Sequence, residues 1–263
     1  MRPTPQPVAL RSVTLGDGRP AVCVPLVGRT AAALEATAVE LAALPRGVVD
    51  VVELRLDYLT AVADHDRVRE AVAAVRRSLR DDVPLLATFR TKQEGGERDI
   101  TPDAYGALLD AVVALDPAER PDAVDVEMYT QPDVREHLVD AAHGAGLRVV
   151  MSSHDFTATP PRAEIVSRLV EQQENGADVV KLAAMPTSPA DVLTLLAATD
   201  DFRSGPGLVP AVTMSMGPLG AVSRLAGETV GSCLTFGAVG ATSAPGQLDA
   251  RALGAALDLL HGA

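Results

Sequence analysis

Short, nearly continuous apolar segments alternate with longer segments of helical periodicity along most of the chain. Continuous apolar runs are typical of strands that are covered on both faces, as in a parallel sheet. The stretches between them, such as 31–45, 101–116 and 131–146, read as helices with polar, Pro or Gly residues at their ends. The pattern predicts eight strands, at residues 21–27, 48–57, 84–90, 123–128, 148–155, 178–183, 208–216 and 232–238.

Eight strand-helix units in a chain of 263 residues match the size and rhythm of a closed (β/α)8 barrel, which takes about 250 residues. Residues 1–20 fall outside the repeat, and a Gly16-Asp17-Gly18 turn between two alternating segments predicts a hairpin that closes the N-terminal end of the barrel. We therefore expect one domain over 1–263, with the barrel at 21–263. An open doubly wound sheet is the alternative, but no glycine-rich phosphate loop follows the first strand.

Composition narrows the function classes. A net charge of −12 argues against binding to nucleic acid or to an anionic membrane, since both require basic surfaces. The N-terminal segment lacks the apolar core of a signal peptide, and no apolar stretch is long enough to span a membrane. We expect a cytoplasmic protein in which the two cysteines, Cys23 and Cys233, are buried free thiols.

Polar residues gather where the predicted strands end. In a (β/α)8 barrel the chemistry belongs at the C-terminal ends of the strands and in the loops that follow them. The candidates there are Glu53, Arg55 and Asp57 on the second strand, Arg90 and Glu94 after the third, Glu127 on the fourth, Ser152, Ser153, His154 and Asp155 on the fifth, Lys181 on the sixth, and Met214 and Met216 on the seventh.

Lys181 is unusual in this chain. Of the 23 basic residues, only Lys92 and Lys181 are lysine. A lone strand lysine is most often an edge or surface residue, but Lys181 has apolar neighbours on both sides, and burial of an ammonium costs several kcal/mol unless it is paired or loses its proton. A deprotonated lysine is a nucleophile that can form an imine, which an arginine cannot do.

His154 precedes Lys181 by one strand, at the same end of the barrel. Alone, it would more often be a core histidine with its hydrogen bonds satisfied. Beside an interior lysine it becomes a candidate general acid/base. Ion pairs at a barrel mouth are the alternative explanation for Arg55 with Glu53 and Asp57, and for Arg90 with Glu94.

With these residues in place, the chain resembles the type I 3-dehydroquinate dehydratases, Schiff-base enzymes of the shikimate pathway. The resemblance runs over most of the chain, and its segments are specific in combination only. They are VELRLDYL (52–59), TFRTKQEGGE (88–97), DVEMY (125–129), SSHDFTATP (152–160), VVKLAAMP (179–186), MGPLGAVSRLAGE (216–228) and TFGAVGATSAPGQL (235–248).

The resemblance implies a mechanism. Lys181 would form an imine with the C3 ketone of 3-dehydroquinate, His154 would move the protons, and Glu94 would orient His154. It also implies that Arg224 clamps the substrate carboxylate, that Glu53, Arg55 and Arg90 hold the ring hydroxyls, and that Ser243 and Gln247 close over the substrate. We expect no metal and no diffusible cofactor. We also expect two copies of the chain to form a homodimer.

Two positions depart from the family pattern. Pro25 stands where some members carry a substrate-binding serine, and Ser153 stands where an aromatic residue often precedes the His-Asp pair.

Two other functional classes also remain open. One is another Schiff-base lyase on the same barrel, such as an aldolase, and the other is a non-catalytic protein that binds a small carboxylate.

Overall fold

A computed structural model describes residues 5–240 and 246–262, and its strands follow the predicted order. The strands are β1 (Val8–Leu10), β2 (Val13–Leu15), β3 (Ala21–Leu26), β4 (Val51–Arg55), β5 (Leu85–Thr88), β6 (Ala123–Glu127), β7 (Arg148–Asp155), β8 (Val179–Ala184), β9 (Ala211–Ser215), β10 (Leu234–Ala238) and β11 (Leu248–Asp249). The helices are α1 (Ala31–Ala42), α2 (His65–Ser78), α3 (Pro102–Val113), α4 (Pro132–Gly144), α5 (Arg162–Glu174), α6 (Pro189–Ser204), α7 (Ala221–Leu225), α8 (Gly227–Val230) and α9 (Ala250–His261).

Strands β3 to β10 form a barrel. They pair in parallel in the order β10-β3-β4-β5-β6-β7-β8-β9, and β11 adds to the far side of β10. Strands β9 and β10 meet through a parallel bridge between Ala211 and Ser232, where the Cys233 N–H donates to the Ala211 carbonyl at 2.8 Å. The predicted (β/α)8 barrel is confirmed, and the open sheet is not favoured.

Alternation along each barrel strand separates two apolar regions. On β8, Val180, Leu182 and Ala184 belong to the cluster that packs under the helices, whereas Val179 and Ala183 belong to a second cluster inside the barrel. Successive strand residues point to opposite faces, so Lys181 lies on the inner face with Val179 and Ala183. Burial on both faces explains why the strands read as continuous apolar runs.

The N-terminal hairpin is present, but its turn is not where the sequence suggested. Strands β1 and β2 are antiparallel and pair Leu10 with Val13, so the turn is Arg11-Ser12, and Gly16 and Gly18 instead lead the chain from β2 into β3. Arg11 has a φ of 50°, a conformation that costs energy for a residue other than glycine. Its side chain is held by Asp122 at 2.6 Å and by the Asp81 carbonyl at 2.8 Å.

The hairpin closes the N-terminal end of the barrel. Its apolar side chains belong to the cluster inside the barrel, together with strand residues such as Cys23, Val51 and Leu86. The hairpin residues are Val8, Leu10, Val13 and Leu15. Chemistry is thereby confined to the opposite end. Within residues 5–240 and 246–262, no helix has both the length and the apolar character needed to cross a membrane.

Candidate active site

A pocket opens at the C-terminal end of the barrel, where the inward side chains change from apolar to charged. The empty space of the pocket and its open mouth together is about 570 Å³. The lining residues are Glu53, Arg55, Arg90, Glu94, Gly95, His154, Phe156, Lys181, Ala183, Met214, Met216, Arg224, Phe236 and Gln247. Eight of the nine predicted site residues are in this set, and the ninth, Ser243, lies outside the described residues.

Lys181 reaches the pocket from the middle of β8 and is only 4% exposed. Its Nζ lies 3.0 Å from Oδ2 of Asp125 and 3.5 Å from Oε1 of Glu53, and 4.7 Å from the centroid of the Phe236 ring. Of the two ways in which a buried lysine can be accommodated, the structure shows pairing with carboxylates. The ammonium must therefore release a proton before it can act as a nucleophile.

Asp125 was missed by the sequence analysis, although it is a central charge of the site. It is fully buried on β6, and besides Lys181 it lies 2.8 Å from Nη2 of Arg90 and accepts a 2.6 Å hydrogen bond from Ser152. Burial disfavours its ionised form, but Arg90 and Lys181 outweigh that cost and hold the pKa of Asp125 below its ordinary value. One signal was available, since Asp125 shares strand parity with Glu127 and so faces the barrel interior.

Arg90 joins three strands of the site. Its Nη1 lies 2.7 Å from Glu127, 2.9 Å from Oγ of Ser152 and 3.4 Å from Glu94. Burial opposes the charge of Arg90, but the surrounding carboxylates, Asp125 first among them, raise its pKa well above the usual value. The guanidinium is thus permanently charged, is paired with these carboxylates, and lines the pocket.

His154 and Glu94 form a hydrogen-bonded pair. Nδ1 of His154 lies 2.9 Å from Oε2 of Glu94, and both side chains are about nine-tenths buried. Burial, with added repulsion from Arg90 and Lys181, lowers the pKa of His154 well below its ordinary value. Burial also raises the pKa of Glu94 to about 8. At neutral pH the imidazole is therefore uncharged and has the form of a base.

The loop that carries Glu94 is tightly folded. A single 3₁₀ turn, Lys92–Glu94, ends at Gly95 with a φ of 85°. A Cβ at Gly95 would lie 2.1 Å from the ring of Phe156, and one at Gly96 would lie 1.9 Å from the Arg90 carbonyl oxygen. The Phe156 ring in turn stacks on His154 at a centroid distance of 6.5 Å. The two glycines thus allow the loop to pack against the segment that carries His154.

Arg55 forms a bidentate pair with Asp57, at 2.8 Å and 2.7 Å. Asp57 also accepts the backbone N–H of Glu97 at 3.1 Å, so this carboxylate holds the loop after β5. Glu53 accepts a hydrogen bond from Thr88 at 3.1 Å and faces Lys181. The ion-pair interpretation of Asp57 is therefore supported, while Arg55 and Glu53 border the pocket as well.

Arg224 lies on α7 and is 1% exposed. Nη1 contacts the Met214 sulfur at 3.8 Å and the Phe236 carbonyl at 3.5 Å. Burial alone lowers the pKa of Arg224 to about 10, so it remains a cation at neutral pH. Gln247 also lines the pocket. The preceding residue is Gly246, where an added Cβ would collide with the Gly217 carbonyl oxygen at 2.3 Å.

The charged cluster does not have the arrangement of a metal centre. Within the described ranges, no group of three or more His, Cys, Asp and Glu side chains is placed to hold a metal ion. The carboxylates of the pocket instead contact arginine, lysine, histidine, serine and threonine side chains.

A buried lysine, a neutral histidine hydrogen-bonded to a carboxyl group, and a buried arginine share one pocket. The sequence profile of the family described as type I 3-dehydroquinase matches residues 22–263. The chain belongs to this family.

Relatives in the family align over nearly the whole chain. The 3-dehydroquinate dehydratase of Syntrophotalea carbinolica is 46% identical over 254 residues, covering 97% of this chain and 98% of the relative. The corresponding protein of Bacillus licheniformis is 44% identical over 97% of each chain. The type I 3-dehydroquinate dehydratase of Clostridium difficile, whose crystal structure contains covalently modified comenic acid, superposes with a TM-score of 0.92 at 39% identity, covering 98% of this chain and 99% of that one.

Proposed function

We propose that the protein dehydrates 3-dehydroquinate to 3-dehydroshikimate, as a carbon-oxygen hydro-lyase, through an imine formed on Lys181. The observation that carries the proposal is the placement of Lys181 and the His154–Glu94 pair around one pocket at the open end of the barrel. A binding protein needs no buried amine beside a neutral imidazole. Family membership and the named relatives support the same substrate and reaction.

The reaction starts at Lys181. Lys181 gives a proton to His154, Nζ adds to the C3 ketone, and His154 returns the proton to the carbinolamine hydroxyl, which leaves as water and gives an iminium. Asp125, 3.0 Å from Nζ, holds the amine at the base of the pocket. The iminium withdraws electrons from C3 and so acidifies the neighbouring C2–H.

His154 carries the protons. The lowered pKa of His154 leaves it neutral and able to remove a C2 proton. The resulting enamine expels the C1 hydroxyl, which takes a proton from the imidazolium and leaves as water. Glu94 bonds Nδ1 at 2.9 Å and thus leaves Nε2 as the working nitrogen. Hydrolysis of the imine then releases the product.

Substrate binding is assigned to the remaining charged residues of the pocket. Arg224 would pair with the substrate carboxylate, since its fork matches a planar anion, and Gln247 with Ser243 would cover the ring. Glu53, Arg55 and Arg90 would contact the ring hydroxyls. Arg90 has a second task, because its contacts with Asp125, Glu127 and Glu94 fix the carboxylates around the reaction centre.

Three further assignments rest on the sequence and its resemblance. We propose that residues 1–263 form one domain, that two copies of the chain associate as a homodimer, and that the protein works in the cytoplasm. Size-exclusion chromatography with light scattering measures the second of these directly.

The test of the mechanism is reductive trapping. The protein is incubated with 3-dehydroquinate and borohydride, its intact mass is measured, and the modified peptide is mapped. We expect an adduct on Lys181 and formation of 3-dehydroshikimate in the untreated reaction. Because Lys92 is the other lysine of the chain, Lys92→Ala is the matched control and should be trapped as the wild type is.

The outcomes separate the parts of the proposal. Lys181→Ala should fold, form no adduct and lose turnover by at least about 10³-fold. Product formation without an adduct would leave the substrate assignment and overturn the imine. Absence of both product and adduct in the wild-type protein would overturn the function itself.

A further inference from the structure

Helix α5 presents a polar side chain where its packing pattern calls for an apolar one. Its buried face consists of Ile165, Leu169 and Gln172, at the spacing of one helix stripe. Gln172 has no exposed surface. A buried carboxamide is costly unless its hydrogen bonds are made, so its partners decide what it does.

The partners of Gln172 lie on the two strands that carry the proposed nucleophile and the proposed base. Oε1 of Gln172 accepts the backbone N–H of Lys181 at 2.9 Å, and Nε2 donates to the backbone carbonyl of Lys181 at 3.0 Å. The same Nε2 donates to Oγ of Ser153 at 3.2 Å. Ser153 immediately precedes His154 on β7, while Lys181 lies on β8.

The carboxamide fits in one orientation. With its oxygen on the Lys181 N–H and its nitrogen on the Lys181 carbonyl, every contact joins a donor to an acceptor, whereas a reversed amide would face donor to donor and acceptor to acceptor. Both main-chain polar groups of one residue are thereby held by a single side chain from outside the barrel. The remaining contact ties β7 to the same carboxamide.

We propose that Gln172 is a positioning residue for the imine chemistry. It fixes the backbone of Lys181, from which the side chain extends to Asp125, and couples that backbone to the strand of His154. The inference rests on the proposed role of Lys181. Its catalytic consequence follows from geometry, because a displacement of about 1 Å in a reacting group can lower a rate by about 100-fold.

The test compares two buried polar contacts between a helix and a strand. Gln172→Met keeps the length of the side chain and removes both the donor and the acceptor. The matched control is Thr199→Val on α6, because Thr199 is also fully buried and its hydroxyl hydrogen-bonds Leu195 at 2.8 Å and Thr213 on β9 at 2.6 Å. Measured quantities are kcat, KM, the melting temperature and the rate of borohydride inactivation in the presence of 3-dehydroquinate.

We expect Gln172→Met to lower kcat and the rate of borohydride inactivation by about tenfold or more, with KM within about twofold of wild type, because the nucleophile is displaced while the binding residues remain. Thr199→Val should lower the melting temperature and leave kcat within about twofold. A folded Gln172→Met protein with kcat and inactivation rate close to wild type would overturn the inference and leave Gln172 a packing residue.

A second variant decides the case if Gln172→Met does not fold. Ser153→Ala removes one of the three contacts of the carboxamide, and we expect kcat to fall about threefold with KM unchanged. An unchanged kcat in Ser153→Ala would then overturn the inference. The wild-type protein is assayed in parallel. If the proposed function itself is wrong, the wild type will show neither turnover nor a Lys181 adduct, which distinguishes that failure from a failure of the role proposed for Gln172.

Discussion

Oε2 of Glu94 lies 2.9 Å from Nδ1 of His154, and this contact spans the top of the barrel from the loop after β5 to the end of β7. Strand β6 lies between these two strands in the sheet. The pair is therefore produced by the curvature of the barrel and the folded loop rather than by adjacent strands. It holds the imidazole in one orientation.

Replacement of His154 by alanine should separate imine formation from its later steps. We expect His154→Ala to lower kcat by about 10²–10⁴-fold, the usual contribution of a general acid/base, while Lys181 still forms an adduct that borohydride reduces. Steady-state rates and the mass of the reduced protein measure the two effects. His137→Ala, which removes an exposed histidine paired with Asp110, should change neither.

Glu94 should make stability depend on pH in a defined direction. Burial raises its pKa to about 8, above the unfolded value of about 4.3, so between these values the native state binds more protons than the unfolded state. The contribution of Glu94 to the free energy of unfolding should therefore fall as pH rises through this range.

Glu94→Gln removes that titration. Its free energy of unfolding, measured by urea denaturation, should exceed that of the wild type by a margin that grows between pH 5 and pH 8, to on the order of 1–4 kcal/mol. Glu119→Gln, on the exposed pair with Arg77, should show no such growth. A margin that stays constant or shrinks over this range would contradict the shift.

Asp125 should be far more important for stability than a surface carboxylate. Asp125→Asn leaves Lys181 without its closest carboxylate and removes one of the buried carboxylates of Arg90. Breaking such a pair costs about 3–5 kcal/mol. Asp201→Asn, on the exposed pair with Arg162, should cost no more than about 1 kcal/mol. Urea denaturation of both variants makes the comparison, and equal losses would show that Asp125 is not a critical partner.

Gly95 should tolerate no side chain. Its φ of 85° and the Phe156 ring 2.1 Å from an added Cβ predict that Gly95→Ala costs about 1–2 kcal/mol from the backbone conformation alone. It should also lower kcat, because Glu94 is the preceding residue. Gly144→Ala, where a Cβ meets nothing within 4 Å, should be neutral or slightly stabilising, and thermal melts with rate assays measure both variants.

The sequence predicted the barrel because the strands are buried on both faces and therefore appear as separate apolar runs. It overestimated the lengths of six of the eight barrel strands, for example 48–57 against Val51–Arg55 for β4, since apolar residues continue past the last ladder hydrogen bonds. The hairpin turn was also misplaced. Arg11 adopts positive φ with support from Asp122 and Asp81, and no local residue preference signals such a turn.

The site was predictable as far as residues project from strand ends into one pocket. Lys181 and His154 were found in this way, while the role of Glu94, in the loop after β5, came from the family resemblance. The structure brings all three to the same pocket. Asp125 was missed because the apolar neighbours of this carboxylate conceal it, although its parity with Glu127 was visible. Gln172 was missed for a different reason, since its role depends on the packing of α5 against β7 and β8, which no local pattern encodes.

The hairpin of β1 and β2 also determines by which end of the barrel substrate enters and product leaves. With Val8, Leu10, Val13 and Leu15 filling the lower end of the barrel, substrate, product and the water released by the reaction share the mouth at the upper end. Product must then vacate the pocket before another substrate molecule can occupy it. The expected signature is competitive inhibition by 3-dehydroshikimate.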